Sequence, residues 1–351
     1  MLGYVVMFKT FSSLKRQYFL AYAIMGSLMP VMAVLLKQKG LSETQIGFAL
    51  GASNVVLMLT PVVLTLLADS RCDARWIISI VFAISSAAAA GLYFVNSFWA
   101  ALLCLCGQSL GYSAVLPLLD ALNLGVEAKQ KSQNSGQPRR APQSSTRYHE
   151  IRVWGTIGFI VPGILLFVLV YRGGSLSWSL ALSGIFALLG AVNALRLPCA
   201  TPPATGRVGH LPTAEAGRAL SRRPVLVFCI AIFLASMASA AFGAFFPLYL
   251  TDEAGVAPQW IAPITNVGVF LEVFFMLSFG WFLKRLGFKK LVMAGMLCMA
   301  LRLALLAIFP SAATAVVTQA VHGMVVLAVM VAPVTYLNQQ ADSHYRHSIQ
   351  G

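Results

Sequence analysis

Ten apolar runs of about 20 residues follow one another along this chain, at 18–36, 45–67, 75–95, 98–126, 149–171, 177–195, 225–249, 258–283, 289–309 and 312–337. A helix rises ~1.5 Å per residue, so each run can cross the ~30 Å hydrocarbon layer of a bilayer with its backbone polar groups paired internally. A β-barrel would instead show ~10-residue segments of alternating polarity, whereas these runs are continuously rich in Leu, Ala, Met and Gly. The expected fold is therefore an all-α membrane protein. Charged residues are only 10% of the chain, against about 25% in an ordinary soluble domain, so water is not its main solvent.

A net charge of +14 leaves nucleic acid in view as a partner until the basic residues are placed. With the N-terminus in the cytoplasm, 20 of the 25 Lys and Arg residues fall in inner segments, and three, Lys37, Lys39 and Arg172, in outer loops. That asymmetry is the positive-inside bias of a membrane protein, and it excludes nucleic acid in favour of the lipid bilayer. The six tryptophans, Trp76, Trp99, Trp154, Trp178, Trp260 and Trp281, all lie near run ends, where an amphipathic ring suits the headgroup region. The six cysteines lack metal-ligand spacing, so neither a zinc site nor a disulfide framework is indicated, and no cofactor is expected. The N-terminus lacks a cleavable signal pattern, and the first run reads as an uncleaved anchor. Nothing resembles a Walker loop or a catalytic triad, so an enzyme is not expected.

Two long inner loops, 127–148 and 196–224, are rich in Pro, Ser, Gly and basic residues and read as linkers. The second divides the chain into an N-terminal six-helix bundle (1–195), a cytoplasmic linker (196–224) and a C-terminal bundle of four helices (225–351). The two bundles share a faint repeat: Gly40, Ile46 and Asp69 align with Gly255, Ile261 and Lys284 at a constant offset of 215. GLSETQIG before the second run then matches GVAPQWIA before the eighth, and the loop LADSRCDAR matches FLKRLGFKK. Repeated bundles are typical of transporters that rock two halves about a site near the bilayer midplane.

The basic loop GWFLKRLGFKK resembles the signature loop of the major facilitator superfamily, with Gly280, Arg285, Gly287 and Lys289 in place. The first copy is eroded: Asp69 and Arg71 are kept, but Thr65 and Cys72 stand where the family has glycine. The resemblance implies that these two loops act as conformational-switch loops. VLPLLDAL in the fourth run, YHEIRVWGTIGFI opening the fifth and NVGVFLEVFFM in the eighth are similar to the phenylpropionate-permease group and, more distantly, to lactose permease. That group has twelve helices, and this sequence ends just after the tenth run, so the last two are expected to be missing from it.

Ionisable groups inside a membrane are costly and must face one another or a wet cavity. The candidates are Asp120, Arg152, Glu272, Arg302 and the titratable His322. From the helical rise, Glu272, Arg302 and His322 lie roughly 16, 20 and 22 Å from the inner ends of their runs, near mid-membrane, where they can converge. Asp120 and Arg152 lie shallower, at roughly 9 and 5 Å, on neighbouring runs, and suit an ion pair. The resemblance implies that Asp120 and Arg152 hold substrate and that Arg302 and His322 belong to a proton-coupling cluster. Lactose permease has an acid where Val325 stands here, and its eighth-helix glutamate corresponds to Val269, with Glu272 one turn away. The phenylpropionate group carries a glutamate at the Glu272 position. A purely structural network of buried charges is the competing reading. Asn54, Gln108, Tyr112, Asn266 and Gln319 can line a cavity or serve as packing hydrogen bonds, and Asn54, Tyr112 and Asn266 are counted with the substrate-binding candidates.

The sequence thus leads to a secondary transporter, a monomer in a bacterial inner membrane, moving a small organic solute (aromatic acid, nucleoside or sugar) by alternating access with protons as the coupling ion. An uncoupled facilitator or exporter of the same fold, a non-transporting membrane scaffold or sensor, and an inactive fragment remain as alternatives.

Overall fold

The computed structural model describes residues 2–70, 72–113, 117–120, 122–123, 146–198, 223–333 and 335–336, without the side chains of 2–11, 66, 69, 70, 112, 146–150, 152 and 224. The described residues are almost entirely helical, with no strand among them. Their helices are α1 (Leu2–Leu28), α2 (Met32–Gln38), α3 (Glu43–Ser70), α4 (Ala74–Phe94), α5 (Phe98–Ser113), α6 (Thr146–Tyr171), α7 (Trp178–Ala194), α8 (Arg223–Asp252), α9 (Ile261–Leu277), α10 (Phe279–Ile308), α11 (Ala312–Val317) and α12 (His322–Val326). Among the described residues, seven helices are long and apolar enough to cross a membrane, and the bent pair α1–α2 is an eighth. Two shorter apolar helices lie at Phe98–Gly111 and Trp178–Ala194. All six tryptophans are exposed, as rings seated in headgroups would be.

Several boundaries differ from the sequence expectation, each for a local reason. The first run is broken at Met29–Val31 and bends by 45°, because Pro30 offers no backbone N–H to continue the ladder. The eighth run ends at Leu277 rather than 283, with Ser278 as a one-residue break. Helix α10 then carries the chain through the loop into the ninth run, and Gly287 breaks its regularity with a left-handed backbone (φ 68°) that glycine adopts without steric cost. The tenth run is not one regular helix: α11 passes through a 3₁₀ turn (Thr318–Val321), α12 and a π-helical stretch (Leu327–Val331).

The chain divides into two compact units, Met1–Val208 and Gly209–Gly351. In the first, α1 packs along α6 and α7, α4 along α5 and α7, and α3 along α5. The approach of α1 to α6 is backbone-close: a Cβ on Gly158 would overlap the Phe19 carbonyl, and one on Gly26 would overlap the Phe159 carbonyl. Lipid offers no hydrophobic drive for helix pairing, so small residues that permit such contact supply the packing. Buried amides tie the same helices together. Gln17 Nε2 donates to the Gly190 carbonyl (3.1 Å), and Asn193 Nδ2 donates to Gln17 Oε1 (2.6 Å) and to the Ser13 carbonyl (3.0 Å). At the ends of α2 and α4, Lys39 Nζ donates to the Tyr93 and Val95 carbonyls, each at 3.0 Å, placing a cation on the negative end of α4.

In the second unit, α9 packs against α12 and the 3₁₀ turn, and α10 against α12 and the π stretch. The repeat-related positions share their geometry: Gly40 and Gly255 both have positive φ (86° and 63°), and Ile46 and Ile261 are both fully buried.

Candidate functional site

Glu272 projects from α9, Arg302 from α10 and His322 from the first position of α12, and the three side chains meet. Arg302 Nη1 lies 3.4 Å from His322 Nδ1, and His322 Nε2 lies 3.6 Å from Glu272 Oε2. The imidazole thus stands between guanidinium and carboxylate. Local packing allows this approach: a Cβ on Gly323 would strike the Phe275 ring, and one on Gly268 would strike the Gln319 amide and touch the His322 ring. His322 and Glu272 keep partial access, at 28% and 22% side-chain exposure, whereas Arg302 is 1% exposed. The arginine lies over two aromatic rings that the sequence reading did not single out, with Cζ 3.8 Å from the Phe242 centroid and 5.5 Å from that of Phe246. The two rings are one helical turn apart on α8 and pack on each other (centroids 4.7 Å), a spacing that could have flagged them.

Arginine nitrogens only donate, so the Arg302 contact requires an unprotonated Nδ1 on His322. The single proton of the neutral ring then sits on Nε2, on the side of Glu272. The arrangement has one proton position set by one neighbour and one acceptor facing it. It is a titratable line, and no group of three or more His, Cys, Asp or Glu side chains that could hold a metal ion occurs among the described residues.

The other candidates lie apart from this line or outside the described side chains. Asp120 is half-buried and accepts a hydrogen bond from the hydroxyl of Tyr18 at 2.5 Å. Tyr18, fully buried on α1, was not anticipated from the sequence. Asn123, three residues beyond Asp120, is also fully buried, and neither side-chain atom has a hydrogen-bond partner among the described residues. Arg152 belongs to α6, but its side chain is outside the described set, as are those of Asp69 and Tyr112 and the whole of Arg71. The expected Asp120–Arg152 pair and the first-loop candidates Asp69 and Arg71 therefore lie outside the described side chains. Asn54 is exposed on α3, whereas Asn266, Gln319 and Gln108 are buried. Gln108 donates to Ser183 Oγ (2.9 Å), a packing bond between α5 and α7. In the second loop, Gly280 has open space around it, Arg285 lies over the Trp281 ring (4.9 Å), Gly287 makes the turn, and Lys289 is exposed.

Residues 11–351 match the family described as MFS_1-like. The chain belongs to that family. Relatives of this MFS_1-like protein include YegT of Escherichia coli (strain K12), described as a candidate nucleoside transporter, with 28% identity covering 98% of this chain and 80% of YegT. A candidate 3-phenylpropionic acid transporter of the same organism is 26% identical, covering 87% of this chain and 75% of the relative. Among solved structures, the nucleoside transporter NupG matches with a TM-score of 0.79 at 21% identity, covering 97% of this chain and 85% of NupG. The fold is therefore the all-α, multi-span bundle of the major facilitator transporters, and the relatives are transporters rather than enzymes.

Proposed function

We propose that this protein is a secondary transporter that carries a small organic solute across a bacterial inner membrane by alternating access, as a monomer, with protons as the coupling ion. The class of fold and relatives support transport, and the names of those relatives point to nucleosides or aromatic acids. The observation that carries proton coupling is the line Glu272–His322–Arg302. A second proton on His322 would set Nδ1–H against the Arg302 N–H and break that contact. A proton on Glu272 would remove the charge that draws the imidazole Nε2–H. Either event changes which helices are tied by the line, so proton binding and helix arrangement are linked.

Substrate contact is assigned to Asp120 and Arg152, with Asn54, Tyr112 and Asn266 as further contributors. Asp120 is held by Tyr18 in a fixed position from which a carboxylate can accept from a solute hydroxyl. The loops containing Asp69 and Arg71, and Gly280, Arg285, Gly287 and Lys289, are assigned to switching between states, and the N-terminus to the cytoplasm on the bias of its basic residues.

The test is uptake into proteoliposomes under an imposed pH gradient. An inward proton gradient should accelerate uptake, and Glu272→Gln should retain solute exchange while losing the acceleration. Gradient-independent flux in the wild type, or full coupling in Glu272→Gln, would remove the proton from the mechanism.

A further inference from the structure

Arg302 uses only part of its hydrogen-bonding capacity. Nη1 faces His322, but Nε and Nη2 are buried and have no partner among the described residues. These two nitrogens form the side edge of the guanidinium, whose parallel N–H bonds match the two oxygens of a carboxylate. No carboxylate among the described residues lies within ion-pair distance of Arg302, because the imidazole stands between it and Glu272. A charge that is 1% exposed, in a membrane-spanning helix, with its bidentate edge unpaired, is an expensive arrangement that an anionic occupant would relieve. The rings of Phe242 and Phe246 lie against the guanidinium, whose planar N–H groups donate in its own plane.

We infer that the Nε/Nη2 edge of Arg302 is the receptor for the carboxylate of the transported solute, and that the solute is an aromatic monocarboxylate whose ring lies among the phenylalanines of α8. The inference rests on the carrier reading above and deepens it by choosing among its substrate classes. A neutral nucleoside could accept from this edge through a base carbonyl and ring nitrogen, but it brings no negative charge to offset the buried guanidinium, so the charge balance favours the carboxylate. A carboxylate at this edge also acts on the coupling line, since it would draw Arg302 away from His322 and free Nδ1 for a proton.

The experiment compares ligands on the purified full chain by isothermal titration and thermal shift, with 3-phenylpropionate, its uncharged amide 3-phenylpropanamide, uridine and inorganic phosphate as the probes. The acid should bind and stabilise, and the amide should bind about tenfold to a hundredfold more weakly, the loss of a charge-assisted pair. Arg302→Lys keeps the charge but removes the fork, and should weaken the acid by a larger factor than the amide. The comparison of acid with amide on the wild type needs no variant, so a poorly folding Arg302→Lys does not block the test. Equal binding of acid and amide, acid binding unaffected by Arg302→Lys in folded protein, binding of phosphate alone, or no binding of the acid would each overturn the inference. Uridine binding and uptake without acid binding would overturn it while leaving the carrier reading intact. Absence of flux for both solutes in proteoliposomes would count against the carrier reading itself.

Discussion

Gln17 and Asn193 in the first unit and Arg302 in the second are all nearly or fully buried, yet they are treated oppositely by their surroundings. The two amides donate to backbone carbonyls and one accepts from the other, so they lock α1 to α7. Among the described residues the guanidinium has one hydrogen-bond neighbour, and its Nε and Nη2 have none. The loops related by the repeat diverge in the same way. Gly287 turns the chain with a positive φ, while its counterpart Cys72 cannot do so cheaply, and the following Asp73 caps α4 instead, accepting from the Arg75 N–H (3.1 Å) and pairing with its side chain (2.8 Å). The Gln17 and Asn193 amides hold helices in place, whereas Arg302, like Asn123 of the first unit, keeps buried polar atoms without a partner among the described residues.

The contrast can be broken most forcefully at a glycine. Gly158→Leu should cost on the order of 3 kcal/mol or more by forcing α1 off α6, seen as loss of a monodisperse peak in size-exclusion chromatography. Gly280→Ala, in open space, should leave the profile unchanged. Arg302→Met should abolish coupled uptake while thermal stability holds or rises, by about 1–4 kcal/mol, because an apolar side chain replaces a poorly compensated charge. A marked fall in melting temperature would mean that Arg302 is a structural group like the amides. Gln17→Leu should instead destabilise by about 1–3 kcal/mol, since it strands Asn193, and should alter transport only through the amount of folded protein. Lys39→Met should have the smallest effect, about 0.3–1 kcal/mol, from loss of the cation at the end of α4, measurable as a small shift in melting temperature.

The spanning character was legible because the bilayer imposes one length and one polarity on every crossing helix, and the apolar runs record both. The meeting of Glu272, Arg302 and His322 was legible too, since depth follows from helical rise alone. Which neighbours surround them was not. A helix that is apolar on all sides carries no amphipathic signal, so the one-turn spacing of Phe242 and Phe246 pairs the two rings but does not say that they face Arg302, and nothing marks Tyr18 in α1 as the partner of Asp120. The breaks at Ser278 and in the tenth run were equally hidden, because the polar and small residues there, such as Ser278, Thr318 and Gly323, also occur inside regular membrane helices.

The irregular tenth run has a practical consequence for probing this protein. The four 3₁₀ residues before His322 wind about 20° more per residue than an α-helix, advancing the helix by about 80° in all, and the five π residues after Val326 unwind in the opposite sense. Cysteine-scanning or cross-linking patterns through 312–333 should therefore show a phase slip of nearly a quarter turn at Thr318–Val321, and a single helical wheel drawn across the run would put the histidine on the wrong side.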